Sequence, residues 1–165
     1  ASSGTMRRMR TPQGLVLACL MAMLVACTPG APAQPGGSQT LVPGAIVIQV
    51  SLIKYQPQDT QFGKVAGYDN DNLTVHVGAV IQFHNQDGFT HTASSVGTNG
   101  FPPGSPIQFS ARTPSGSDLA QANWSSGDLG PDAYSQPFKA STPGTYFYGC
   151  YFHYNTPMRG VITVQ

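Results

Sequence analysis

Short apolar runs separated by turn residues dominate the chain after residue 44. The run 45–55 (AIVIQVSLIKY) is rich in β-branched residues, and 73–77 (LTVHV) and 79–85 (AVIQFHN) follow it, with Gly78 marking the turn between the last two. Further runs of strand character lie at 91–95, 107–110, 134–140, 145–150 and 160–164, each bounded by Gly, Pro, Asp or Ser. Seven to eight short strands predict an all-β sandwich.

The segment 96–124 interrupts this pattern, because it is long, rich in turn residues and only weakly periodic. A segment of this kind is typical of a loop that carries a function or covers part of the domain. We therefore expect an extended loop or flap that contains one short strand, 107–110. Trp124 at its end, like the aromatic residues of the strands, is expected to pack in the core or half-buried against it.

The first 27 residues carry export signals. Residues 1–5 (ASSGT) precede the first Met and resemble a cloning remnant. From Met6, a basic stretch is followed by an apolar stretch, 15–25, which is short for a membrane span. The end of this stretch, Leu-Val-Ala-Cys, is similar to the lipobox of bacterial lipoproteins. We expect 6–26 to be a lipoprotein signal peptide and Cys27 to be lipid-modified; a plain signal peptide cut nearby is the alternative.

Residues 27–43 are rich in Pro, Gly, Ser and Gln and carry no charge. Such a composition cannot bury a core and behaves as a semi-extended spacer. The folded domain is then expected over 44–165, which is enough chain for one hydrophobic core. These features predict a monomeric domain that is tethered in the cell envelope through a lipid, on the periplasmic or exterior face of a membrane.

The charge of the chain is unevenly placed. Only 9% of residues are charged, Glu is absent, and the formal net charge is +1. Three of the five arginines lie within the first ten residues, so removal of the leader leaves three lysines and two arginines against seven aspartates, a net charge of about −2. No basic surface is left for nucleic acid, and this class of partner is excluded.

Three candidate metal-binding side chains lie close together near the C-terminal end of the sequence. Cys150, His153 and Met158 form a C-x2-H-x4-M pattern between two strand-like runs, where one loop can turn all three side chains toward one point. Thiolate and thioether sulfur favour Cu(I), and imidazole tolerates Cu(II), so this donor set suits copper in both oxidation states. A second imidazole would complete the set, and His91, at the start of an upstream strand, is the candidate.

Each of these residues also has a plainer interpretation. Cys150 could be an inert buried thiol, since free Cys behaves as a small hydrophobic residue, and Met158 could be a core filler. No second Cys remains in the domain to form an internal disulfide. The spacing of the three residues favours the metal site in both cases.

The stretches NLTVHVGAVIQFHNQDGFTHT and SQPFKASTPGTYFYGCYFHYNTPMRGVITV resemble the cupredoxins, with the ligand spacing of plastocyanin and pseudoazurin. This resemblance implies a Greek-key β-sandwich with one blue, type 1 copper ion. It implies Cys150 as the thiolate ligand, His91 and His153 as imidazole ligands and Met158 as the weak axial ligand. It also suggests that Thr92 ties the two ligand loops together.

The function implied by the resemblance is single-electron transfer between membrane-associated or periplasmic redox proteins. His153 would be the electron port, at an apolar edge with Tyr154, Pro157 and Phe89 around it. We do not expect an enzyme. Catalytic relatives need H-x-H pairs or a His directly before the copper-binding Cys, whereas this chain has no H-x-H pair and Gly149 precedes Cys150. Periplasmic copper binding and delivery is the alternative function.

Overall fold

The computed structural model describes residues 39–165. The predicted cloning remnant, the signal peptide, the lipid-modified Cys27 and most of the tether lie outside this range. Within it, no helix has the length and apolar character needed to cross a membrane. The elements are β1 (Ile46–Val50), β2 (Gln58–Thr60), β3 (Gly63–Val65), β4 (Asn72–Val75), β5 (Val80–Asn85), β6 (Ser94–Gly97), a 3-10 helix (Phe109–Arg112), β7 (Phe138–Lys139), β8 (Gly144–Gly149) and β9 (Arg159–Val164).

The longer strands form two sheets, with a small hairpin of β2 and β3 beside them. The first sheet has the order β1-β5-β7, in which β1 is parallel to β5. The second has the order β4-β9-β8-β6, in which β4 is parallel to β9 and β8 is antiparallel to β9 and β6. The all-β sandwich predicted from the apolar runs is confirmed.

One hydrophobic core lies between the two sheets, and aromatic rings fill its centre. Phe83 of the first sheet contacts Tyr148 of the second in an edge-to-face pair with ring centroids 5.3 Å apart. Trp124 stacks on Phe83 at 6.1 Å and is fully buried, as expected from the sequence. Edge-to-face and offset pairs of this kind add to the free energy gained by burying the rings.

The structure differs from the sequence-based expectation at several strands, and of the predicted strand 134–140 only Phe138–Lys139 is in a sheet. The predicted strand 107–110 is largely replaced by the 3-10 helix Phe109–Arg112. The turn predicted at Gly78, where φ is +93°, is present, and the strands β4 and β5 on either side of it belong to different sheets. The β2–β3 hairpin was not expected, because its residues are mostly polar and exposed and so lack the apolar alternation of a core strand.

The segment 96–124 lies beside the second sheet. Its end is bonded to the strand that follows His91, since Ser95 N–H donates to Trp124 O at 2.9 Å, and Ser126 N–H donates to Ala93 O at 2.9 Å. Its 3-10 helix reaches the loop after β8, where the ring of Phe109 lies 6.2 Å from that of Tyr151. The segment is therefore an ordered extension of the end of the sandwich that carries the candidate ligands.

Candidate metal centre

The loop that joins β8 to β9 carries three of the four predicted ligands. Cys150 directly follows β8, and Met158 directly precedes β9. The backbone closes the loop, because Cys150 N–H donates to Met158 O at 3.0 Å and Met158 N–H donates to His153 O at 3.1 Å. Sequence spacing and strand pairing thus hold both ends of the loop at one end of the sandwich.

His91 comes from the connection between β5 and β6 and is fully buried. Its backbone exchanges two hydrogen bonds with Leu129, at 3.1 and 2.8 Å. Asn85, at the end of β5, closes this connection from inside by donating its side-chain amide to the carbonyls of Phe89, Leu129 and Gly130. The imidazole is therefore placed by a connection that hydrogen bonds tie to Asn85 and to Leu129.

The structure brings His91, Cys150 and His153 together. Their ligand atoms all lie within 4.8 Å of one another, and they form the one such group of His, Cys and acidic side chains found in residues 39–165. Nδ1 of His91 is 3.8 Å from Cys150 Sγ, and Nδ1 of His153 is 3.5 Å from it. Both imidazoles thus turn the same ring nitrogen toward the sulfur.

These separations fit a shared metal ion. A nitrogen and a thiolate sulfur bonded to one zinc-sized ion at about 2.0 and 2.3 Å, with an angle of about 110 to 120° between them, lie roughly 3.5 to 3.7 Å apart. Two imidazoles with one thiolate form the trigonal donor set of a blue-copper centre. The cluster therefore fits a single copper ion, as predicted.

Met158 is fully buried, and its backbone is hydrogen-bonded to that of Cys150. The backbone of Met158 pairs with that of Ala66, the residue that follows β3. The next residue, Gly67, lies against the Met158 side chain. A Cβ atom on Gly67 would lie only 2.5 Å from Met158 Cγ and 3.2 Å from its sulfur. The glycine therefore leaves the space that the thioether side chain occupies.

Burial dominates the electrostatics of the three clustered ligands. It raises the pKa of the Cys150 thiol, and hydrogen bonds from the backbone N–H groups of Thr92, Phe152 and His153 offset this only in part. Burial also lowers the pKa of His91 and of His153, and the carboxylate of Asp87 opposes both shifts. Without metal, the site thus favours a neutral thiol and neutral imidazoles, so that metal binding must release the thiol proton.

Thr92 links the two ligand loops, as the sequence suggested. Its backbone N–H donates to Cys150 Sγ at 3.4 Å, and its hydroxyl oxygen accepts the N–H of Tyr151 at 2.9 Å. Both contacts are buried or partly buried. A hydrogen bond to the sulfur is one of the interactions that tune a copper–thiolate centre.

Replacing Thr92 by valine should lower the free energy of unfolding of the metal-free protein by about 1 to 3 kcal/mol, since the N–H of Tyr151 is left without its acceptor. Denaturant titration measures this change. The matched control is Thr74→Val on β4, where the threonine is exposed and the same substitution should be nearly neutral. Equal effects of the two substitutions would show that the Thr92 hydroxyl does not stabilise the loops.

Asp87 contacts the ring of His91 on the side opposite to the sulfur. Its Oδ2 atom lies 2.9 Å from Nε2 of His91. Burial by itself would raise the pKa of Asp87, but hydrogen bonds from Ser51, His91 and Leu52 outweigh burial and hold the pKa below its ordinary value. Asp87 therefore stands as a carboxylate beside the imidazole.

The edge of the site near His153 is apolar and partly exposed. Phe89 is 41% exposed, and its ring centroid lies 4.8 Å from that of His91 and 5.8 Å from that of His153. Pro157 is half-buried. Tyr154 departs from the expectation of an exposed edge, because it is buried and its hydroxyl donates to Pro102 O at 3.0 Å. It packs under the loop instead of flanking His153 at the surface.

Phe152 and the 3-10 helix extend this apolar edge. Phe152 is 40% exposed, and the guanidinium carbon of Arg112 lies 5.2 Å from its ring and 5.3 Å from that of Phe109. Arg112 is also paired with Asp128 at 2.6 Å. Its charge is therefore balanced locally, and its plane serves to pack the two phenylalanines.

The sequence assigned no role to Asp87 or Gly67, although Asp87 belongs to the N-x-D-x3-H pattern that ends at His91. Asp87 lies four residues before His91, and this spacing was the available signal, although a turn aspartate with no second function has the same appearance. Gly67 gave no local signal, because its role depends on a residue about ninety positions away. Both contacts arise only when distant segments meet.

Comparison with known proteins gives matches among solved structures. No model of a protein family matches the chain, and no curated protein sequence matches it. A reduced mutant of amicyanin is 20% identical, the match covers 79% of this chain and 91% of that one, and the TM-score is 0.51. The Cu(I) form of another amicyanin mutant gives the same values. The chain therefore has the cupredoxin fold, which confirms the fold class expected from the sequence.

Proposed function

We propose that this protein is a blue-copper electron carrier, in which His91, Cys150, His153 and Met158 hold one copper ion. The observation that carries the proposal is the convergence of two imidazole Nδ1 atoms on one buried cysteine sulfur, at 3.5 and 3.8 Å. Copper, when bound, would supply the Cu(II)/Cu(I) couple that accepts and releases one electron. Copper forms of amicyanin, a protein of the same fold, support this choice of metal.

In such a transfer the protein fixes the positions of the ligand side chains. The loops that carry them are closed by backbone hydrogen bonds, and the Cys150 thiol and the His91 ring are buried. Four protein ligands would leave no position for a substrate, which favours electron transfer over catalysis. Ligands that are held by hydrogen-bonded loops need little rearrangement when the oxidation state of a bound ion changes.

Electrons would enter and leave through the half-buried ring of His153. Phe89 and Phe152 lie beside this ring and are partly exposed, so that a partner protein could approach the imidazole across an apolar surface. Redox proteins commonly form small and transient contacts, which an apolar surface around one partly exposed ligand can provide. We further propose that the partners are redox proteins of the cell envelope, reached by a domain tethered through lipid-modified Cys27.

The test is to load the purified protein with Cu(II), record its visible absorption and electron paramagnetic resonance spectra, and then reduce and reoxidise it repeatedly. We expect an intense thiolate-to-copper band that disappears on reduction and returns on oxidation, with copper retained throughout. Retention is measured by adding a chelator or a copper-accepting protein to each redox form. Rapid surrender of copper to the acceptor would favour copper delivery over electron transfer.

A further inference from the structure

The ring of His91 is held from behind by a buried carboxylate. The side chain of Asp87 is 2% exposed, that of His91 is fully buried, and Asp87 Oδ2 lies 2.9 Å from His91 Nε2. The opposite ring nitrogen, Nδ1, faces Cys150 Sγ. His91 thus connects the carboxylate to the candidate metal site through a single imidazole.

Asp87 accepts hydrogen bonds from two groups besides His91. Leu52 N–H donates to Oδ2 at 2.8 Å, and the Ser51 hydroxyl donates to Oδ1 at 2.5 Å. The Ser51 oxygen itself accepts the N–H of Lys54 at 3.1 Å, which leaves its own hydrogen for Asp87. Asp87 therefore acts as an acceptor toward both donors. A carboxylate in this place also accepts from His91, which assigns the proton of a neutral His91 ring to Nε2.

A neutral imidazole with its proton on Nε2 has a free lone pair on Nδ1. In this protein His91 Nδ1 faces the sulfur of Cys150 at 3.8 Å, so that its lone pair is directed to the candidate metal site. The other imidazole differs, because no carboxylate of residues 39–165 pairs with His153. The two histidines are therefore not equivalent. His91 is buried and paired with a carboxylate, whereas His153 is half-buried and has no carboxylate partner in the described residues.

The carboxylate is itself held in place by two separate parts of the chain. Ser51 and Leu52 follow β1, and the side chain of Asn85 at the end of β5 accepts the backbone N–H of Asp87 at 2.9 Å. Because β1 and β5 are paired strands, these groups are fixed relative to one another. The position of Asp87 is thus fixed by the paired strands of the first sheet.

We propose that Asp87 is a positioning residue for the metal ligand His91: it retains the Nε2 proton, presents Nδ1 to the metal, and favours the oxidised ion through its negative charge. The last part rests on the proposed function, since it concerns the Cu(II)/Cu(I) couple. Partners of metal-bound histidines typically orient the ring and raise its basicity as a ligand. A nearby negative charge stabilises the more positive oxidation state and so lowers the reduction potential.

The first experiment uses the unmodified, metal-free protein. Nitrogen-15 NMR of the imidazoles should show His91 with its proton on Nε2 and a bare Nδ1. A proton on Nδ1 would overturn the proposal. Because this measurement needs neither copper nor a variant, its result is independent of the proposed electron-carrier function and of the folding of any variant.

The second experiment measures the reduction potential of copper-loaded Asp87→Asn, which removes the charge and keeps the shape. We expect the ratio of Cu(I) to Cu(II) affinity to rise at least tenfold, which corresponds to an upward shift of about 59 mV for one electron. The matched control is Asp59→Asn, which removes the same charge from a side chain that is 79% exposed and paired with Lys64. Solvent and salt should screen this second change almost completely.

Equal potentials for the two variants would overturn the electrostatic part of the proposal. If the unmodified protein gives no thiolate-to-copper band, the proposed function fails, and the NMR result still decides whether Asp87 positions His91. If the unmodified protein has the band and Asp87→Asn behaves as Asp59→Asn does, only the role of the Asp87 charge fails. The two failures are therefore distinguishable.

Discussion

Replacing Cys150 by alanine is expected to abolish the intense visible band of the copper-loaded protein and to weaken copper binding by at least about a hundredfold. The physical reason is that the thiolate is the donor from which this band arises, and that no other cysteine lies in residues 39–165 to replace it. His91 and His153 would remain as two imidazole donors, which suffice for an ordinary, weakly coloured Cu(II) complex. Visible absorption, electron paramagnetic resonance and a competition titration with a chelator measure these effects.

His76→Ala is the matched control for this prediction. His76 is exposed and lies beyond β4, outside the candidate site, so that its removal should change neither the band nor the affinity. A spectrum that is the same for the unmodified protein and for Cys150→Ala would contradict the ligand set. Weakened binding in both variants would instead indicate that copper is held at scattered surface histidines.

Replacing Gly67 by alanine is expected to displace Met158 while leaving the other three ligands in place. The new methyl group would lie 2.5 Å from Met158 Cγ, so that the thioether side chain has to move. Because thioether sulfur favours Cu(I), its displacement should weaken Cu(I) binding and lower the reduction potential, while the thiolate-to-copper band persists. The free energy of unfolding should fall by about 2 to 5 kcal/mol, from backbone strain together with overpacking.

Gly104→Ala separates the two causes of this loss. Gly104 has φ +77°, against +78° for Gly67, and a Cβ atom there would meet nothing within 4 Å. It should therefore show the cost of an alanine at positive φ alone, about 1 to 2 kcal/mol, with an unchanged copper spectrum. Denaturant unfolding of the metal-free proteins and voltammetry of the loaded ones measure both effects. Identical results for the two variants would show that Gly67 does not provide space for Met158.

The parts of the fold that were predicted correctly have local signals. The runs that became β1, β5, β8 and β9 are apolar, rich in β-branched or aromatic residues, and bounded by turn residues. The segment 107–110 carries similar residues, yet 107–108 are irregular and a 3-10 helix begins at Phe109. No strand of residues 39–165 pairs with this segment, and strand propensity without pairing and burial does not hold a segment in a sheet.

The candidate site also has features that the local sequence predicts and features that it does not. Cys150, His153 and Met158 lie within nine residues, so their spacing alone indicates that they share a loop. The burial of Tyr154 within that same loop was not predictable from its spacing. The side chain turns inward because its hydroxyl finds Pro102 and because Arg159 stacks on its ring at 4.3 Å. Both partners reach it only through the folding of the loop and of the segment 96–124.

The sequence by itself determined the all-β class, and it placed a thiolate, an imidazole and a thioether suited to copper in one loop, because each of these depends on residue types at short spacing. The tertiary structure alone decided which sheet each strand joins, that Asp87 stands behind His91, and that Gly67 makes room for Met158. These contacts join segments that are brought together by strand pairing and by burial of one shared core. No local pattern records such a contact, because its free energy exists only when both partners are in place.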